Sequence, residues 1–334
     1  MEAVHVLIET AGRFRRLGEC RLPQAVFASM RPLTLVVLAV IAAPAGLASQ
    51  DTTASPLDWW GDDSNRVAFV TAHGKPQRYP RLVLWAPTDS LDPHWLAGFG
   101  DTLDAGLTDL RALIGGPYPW QRIGNRPIVF FFSPGRFVSH STGQDTVFIS
   151  LNRIRRGEAP FLHEAAHELL TPKGPFYADE YADSLEEERR ASRFPQWLNE
   201  GFPDYLAQTV AKTTSFPEGD VFAIGGLDKV DSTCAARLAA NPRSSEILEK
   251  VGGQGGLEAL LTEDRQLVAP TFYACSQAFT KYLVDRIGVK AVTGLFPEIP
   301  PDRWKEEIER LSGQPIAEIR RAWMDRMGIR RSGL

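Results

Sequence analysis

Between Pro160 and Pro172 lies the stretch FLHEAAHELLT, and no other part of the chain constrains its own fold and surroundings so tightly. It contains neither Pro nor Gly, and it is rich in strong helix formers. A helix from about Phe161 to Leu170 is predicted, ended by Thr171-Pro172. His163 and His167 are four residues apart, so they lie one turn apart on the same helix face. Two imidazoles so placed can both reach one tetrahedral Zn²⁺ at about 2.0–2.1 Å. Glu164 then sits beside the metal, where a carboxylate can take a proton from water. Phe161, Leu162, Ala165, Ala166 and Leu169 are small or apolar, as a buried metal helix needs; Glu168 is charged and departs from that pattern.

Catalytic zinc sites use three protein ligands and keep one position open. Downstream stands Trp197-Leu198-Asn199-Glu200-Gly201-Phe202, within a helix predicted over 195–210. A Glu on a second helix packed against the first can complete a two-His, one-Glu site. His163-Glu164-Ala165-Ala166-His167 together with WLNEGF resembles the gluzincin metallopeptidases, the clan of thermolysin and the alanyl- and leucyl-aminopeptidases. That resemblance implies a thermolysin-like (zincin) α+β catalytic domain. It makes His163, His167 and Glu200 the zinc ligands, Glu164 the general base and Asp204 a group that orients a ligand. It also implies that Tyr273, opening YACSQAFTKYLVDRIG, donates a hydrogen bond to the oxyanion of the tetrahedral intermediate.

The chain departs from the aminopeptidases in three places. Cys275-Ser276 stands where they carry Lys-Gly, residues 168–199 form a longer gap between the second His and the Glu, and the Gly-Ala-Met-Glu-Asn string that binds a substrate amino terminus is absent. The exopeptidase property is therefore not carried over. The layout is closer to small bacterial gluzincin-like proteins, and the resemblance covers about residues 80–327.

Around these strings the pattern is mixed, then helical. Strands are predicted at 81–86, 127–133 and 146–151, the last along the sheet edge beside the site. Asp92 to Ile114 carries Leu96, Phe99, Leu103, Leu107, Leu110 and Leu113 at three-to-four spacing, which predicts an amphipathic helix. Further helices are predicted at 230–241, 244–262, 270–287, 289–295, 301–311 and 315–327. The charged stretch within 171–195 reads as a solvated loop or as a lid. The domain reading is a 1–48 extension and signal peptide, a loose 49–78 segment, an α+β half at 79–210 bearing the zinc helices, and a helical half at 211–330 of the same catalytic unit. His140 reads as a loop residue or as part of the cleft wall, and His94 as a surface residue.

Leu33 to Ala48 is apolar but too short to span a bilayer comfortably, for which about 20 residues are needed. It follows Met30-Arg31 and ends with Gly46 and Ala48, which suits signal-peptidase cleavage. Residues 30–48 thus predict an exported, periplasmic or extracellular protein, with Met30 a candidate start. A long basic n-region and a buried core helix are the alternatives. Once the signal is removed, no membrane span is expected. In that compartment Cys234 and Cys275 are expected to form a disulfide, with two buried free thiols as the alternative. The net charge of −4 argues against a nucleic-acid partner. The expected partner is a peptide or protein substrate, with oligomeric state open. The rival reading is a non-catalytic or vestigial zinc-site envelope or binding protein.

Overall fold

The structure is a computed structural model that describes residues 63–115, 127–142, 145–170, 195–253, 265–298 and 303–329. These belong to one compact unit, Ser55–Leu334. The expected signal at 30–48 and, but for Pro195, the expected lid at 171–195 lie outside the described residues.

The architecture is α+β: one small mixed sheet and many helices. The elements are α1 (Asp63–His73), β1 (Gly74–Arg78), β2 (Leu82–Pro87), α2 (Pro93–Ile114), β3 (Ile128–Ser133), β4 (His140–Ser141), β5 (Thr146–Ser150), α3 (Leu151–Arg156), α4 (Phe161–Leu170) and α5 (Gln196–Thr214). Then come α6 (Val230–Ala240), α7 (Ser244–Lys250), α8 (Arg265–Ile287), α9 (Val289–Glu298), α10 (Trp304–Ser312) and α11 (Ile316–Arg326). The strand order is β1-β2-β3-β5-β4. β2, β3 and β5 run parallel, and β1 and β4 pair antiparallel on the two edges.

The inner strands are apolar on both faces because both are covered. Leu82, Leu84, Ile128, Phe130, Phe132, Val147 and Ile149 join the main core with α2, α4 and α5. Phe131 and Phe148 point the other way, into a smaller cluster with Val70 of α1 and Phe137. α2 is started by Asp92, whose carboxylate accepts the Trp95 N–H at 2.8 Å, with Pro93 in the first turn. Its buried stripe runs through Leu96, Phe99, Leu103, Leu107 and Leu110.

Several sequence expectations need correcting. Residues 63–78, expected to be loose, form α1 and edge strand β1. Arg66 anchors α1: its side chain is buried, pairs with Asp63 at 2.6 Å and lies 4.3 Å over the Phe137 ring. A short polar segment with one buried arginine leaves little apolar periodicity to read. β1 tolerates Pro76 because it pairs on one side only. β5 is not the edge strand, since β4 pairs outside it.

The helix expected at 244–262 stops at Lys250. Gly252 has φ +75°, and a Cβ there would lie 2.8 Å from Phe279, so the chain must turn at a glycine. α8 begins at Arg265, before Pro270, and runs through that proline. The structure joins Cys234 of α6 to Cys275 of α8 by a disulfide, both residues fully buried. No helix among the described residues is long and apolar enough to cross a membrane.

Candidate metal centre

α4 lies between the sheet and α5, buried over almost its whole surface. Its start is fixed by a residue far along the chain. Both carboxyl oxygens of Glu218, just beyond α5, accept backbone N–H groups of the first turn: Leu162 at 2.8 Å and His163 at 3.0 Å. A carboxylate there also suits the positive end of the helix dipole. Its far end is tied by Glu168, fully buried, which accepts the backbone N–H groups of Thr142 at 2.9 Å and Asp145 at 2.8 Å. The charge that looked out of place in the motif thus holds the β4–β5 turn, where Asp145 has φ +64°.

α5 brings Glu200 and, one turn later, Asp204 against α4. Pro203 lies between them and removes one hydrogen bond from the helix. The next helix, α8, approaches closely because residue 201 is glycine: a Cβ there would stand 2.6 Å from the Ser276 carbonyl oxygen.

Three donor atoms converge. His163 Nε2 and His167 Nε2 are 3.1 Å apart, and Glu200 Oε2 lies 3.5 Å from the first and 3.7 Å from the second. A tetrahedral ion with bonds of about 2.0–2.1 Å has ligand atoms roughly 3.3–3.4 Å apart, and the three observed separations bracket that edge. His163 Nδ1 donates to Asp204 Oδ1 at 2.7 Å. That bond places a proton on Nδ1 and makes Nε2 the nitrogen that faces the cluster, where it could serve as a ligand once deprotonated. His163, His167 and Glu200 form a group that could hold a metal ion.

The electrostatics support the same point. Burial pushes the Glu164 carboxyl up to about 8, against the pull of His163. Burial likewise takes Glu218 to about 8, opposed by its two backbone N–H bonds. Burial opposes a charge on His163, but the hydrogen-bonded Asp204 carboxylate outweighs it and raises that imidazole well above its ordinary value. Burial also acts to raise Glu200, yet the two imidazoles hold it far below the carboxylate range. Glu164 and Glu218 thus hold protons at neutral pH beside the ionised Glu200, and a divalent cation at the donor triangle would favour the ionised form of the neighbouring Glu164.

His163, Glu164, His167, Glu200 and Asp204 are thus brought together. Tyr273 is linked less directly: half-buried on α8, it stacks on Phe222 at 4.4 Å, and its charge acts on Arg153, as does that of Glu164. His140 is partly buried on β4, with Nδ1 2.9 Å from the Val138 carbonyl and Nε2 3.0 Å from Asp63, and its charge also reaches Glu164. His94 is exposed. Sequence reasoning missed Glu218. Glu218 is 55 residues from the N–H of His163, and no local pattern announces such a contact.

No protein-family model matches the chain, and no curated protein or solved structure matches it either.

Proposed function

We propose that the chain is an exported zinc-dependent metallopeptidase with a divergent thermolysin-like, gluzincin-type site. The observation that carries this reading is the triangle of His163 Nε2, His167 Nε2 and Glu200 Oε2, with Glu164 next to it in the chain and buried. His163, His167 and Glu200 would hold Zn²⁺, and Asp204 would fix the His163 ring. Bound there, zinc supplies Lewis acidity, which makes a nucleophile of water near neutral pH and polarises a carbonyl oxygen.

The remaining chemistry belongs to side chains of this chain. Glu164 accepts a proton from the attacking water and returns it to the leaving amine. Burial raises its proton affinity to about 8, and a neighbouring cation draws that value back toward neutrality, where a carboxyl can both take and give a proton. Tyr273 is the candidate donor to the oxyanion. Export fits the disulfide, which persists in oxidising compartments. It also fits the apolar segment before residue 49.

The test pairs metal retention with turnover. Purified wild-type protein should cleave members of a broad peptide library, and a chelator should abolish that cleavage. Glu164→Gln should keep its zinc and lose about 10²–10⁴-fold in rate. Cleavage indifferent to chelator would exclude the proposal. Full zinc occupancy with no cleavage of any peptide would favour a non-catalytic zinc protein.

A further inference from the structure

We infer that Glu218 is a positioning residue of the metal centre: it seats His163 by holding the first turn of α4, and metal affinity depends on that hold. The inference rests on the metal-site reading and adds a residue beyond the three ligands and Asp204. The first turn of α4 lacks a local cap. The Pro160 carbonyl accepts the first helical N–H, that of Glu164, at 3.1 Å, so Pro160 holds the capping position. Neither Pro160 nor Ala159 has a side-chain acceptor, where a Ser, Thr, Asp or Asn would ordinarily serve. The Phe161 N–H goes to the Ala159 carbonyl at 3.1 Å, which leaves those of Leu162 and His163. Glu218 takes both, one carboxyl oxygen each, at 2.8 and 3.0 Å. One of the two donors is the backbone of a candidate ligand. His163 is thus held twice, at its backbone by Glu218 and at its ring by Asp204.

The segment that carries Glu218 is built to keep it there. Phe216 is buried, its ring 6.1 Å from that of Phe99 and 6.3 Å from that of Phe161 at the start of α4. The Phe216 carbonyl accepts the Glu218 N–H at 2.9 Å, and the Ala159 carbonyl accepts the Gly219 N–H at 3.0 Å. Residue 219 must be glycine, because a Cβ would lie 2.2 Å from the Glu158 carbonyl carbon and 2.4 Å from the Ala159 nitrogen, both backbone. Asp220 closes the turn, its carboxylate accepting the Ile224 and Gly225 N–H groups at 2.7 and 2.6 Å. Arg237 of α6 donates to the carbonyls of Phe222 and Ala223, and to that of Pro270 on α8 at 2.6 Å. A cap needed only to finish a helix could come from residue 160 itself. Here it comes from a segment that continues α5, the helix of Glu200, and that is fastened to α6 and α8. The hold therefore sets the His163 backbone relative to Glu200. A ligand set tolerates displacements of only about 0.5 Å, so this bears on metal binding.

The test reads zinc affinity, by competition against a fluorescent chelator, and the visible absorption of cobalt-loaded protein, both well below every unfolding transition. Only folded protein then enters the measurement, so a loss of stability alone moves neither readout. Glu218→Ala should bind zinc about tenfold or more weakly than wild type and should shift the cobalt bands, which report ligand geometry. Glu218→Gln keeps one carbonyl oxygen, hence one of the two bonds, and should recover part of the affinity. Asp92→Ala removes a cap of the same chemistry from α2, where the carboxylate accepts the Trp95 N–H. It should melt at a lower temperature yet bind zinc within about twofold of wild type. If Glu218→Ala does not fold, Glu218→Gln carries the test, with an expected loss of about threefold or more. Wild-type affinity and an unchanged cobalt spectrum in the Glu218 variants overturn the inference, as does a loss in Asp92→Ala as large as that in Glu218→Ala. Wild-type protein that binds neither zinc nor cobalt removes the metal-site reading and this one with it; wild-type binding that the Glu218 variants leave intact removes this one alone.

Discussion

At the scale of single residues, the site depends on hydrogen bonds that aim its donors. Asp204 fixes the tautomer of His163 through a bond of 2.7 Å. Asp204→Asn should weaken zinc binding about 10–100-fold, read by competition against a chromophoric chelator. Unchanged affinity would mean that the ring is oriented by packing alone. The motif residues were legible in the sequence because their chemistry is local: one helical turn sets His163 against His167. Asp204 was legible for the same reason, one turn from Glu200. Glu218 was not, because it reaches the first turn of α4 from beyond the end of α5. Glu168 was visible only as a misfit. Its two backbone partners lie 26 and 23 residues away, and only the folded β4–β5 turn gives its buried charge a purpose.

At the scale of elements, the centre is a stack: sheet, α4, α5, α8. α8 comes close to α5 at Gly201, immediately after Glu200. An added methyl would stand 2.6 Å from both the Ser276 carbonyl oxygen and Thr280 Oγ1, and backbone cannot yield as a flexible side chain does. Gly201→Ala should lower stability by about 1–3 kcal/mol in thermal or denaturant unfolding. It should also weaken zinc binding, because α5 must shift to relieve the contact. A neutral effect on both would show that the two helices have room to spare. α2 was legible from its apolar stripe. The doubly covered β3 was legible as an apolar run. α1 and β1 were not, since a buried arginine and an edge proline do most of what apolar periodicity usually signals. Pro270 suggested a helix start, but α8 passes through it.

At the scale of the whole molecule, the site links stability to protons and metal. In metal-free protein, Glu164 and Glu218 keep their protons up to about 8, whereas the unfolded chain releases them near 4.5. His163 likewise holds its proton well above the ordinary 6.5. Between these limits the native state binds more protons than the unfolded one, so stability falls as pH rises. Glu200, shifted the other way, is already ionised throughout that window and adds no slope. Metal-free protein should therefore melt at a lower temperature at about pH 8 than at about pH 5.5, and zinc should stabilise it more at the higher pH. A melting temperature that rises over this range would contradict the proton linkage assigned to the site.

The central claim is that His163, His167 and Glu200 together hold one divalent ion, and elemental analysis by plasma mass spectrometry tests it most directly. After dialysis against metal-free buffer at neutral pH and reloading with zinc, wild-type protein should retain about one zinc per chain. Glu200→Ala, shown to be folded by circular dichroism, should retain far less. Wild-type protein without bound zinc, or a Glu200→Ala protein that retains as much, would contradict the account.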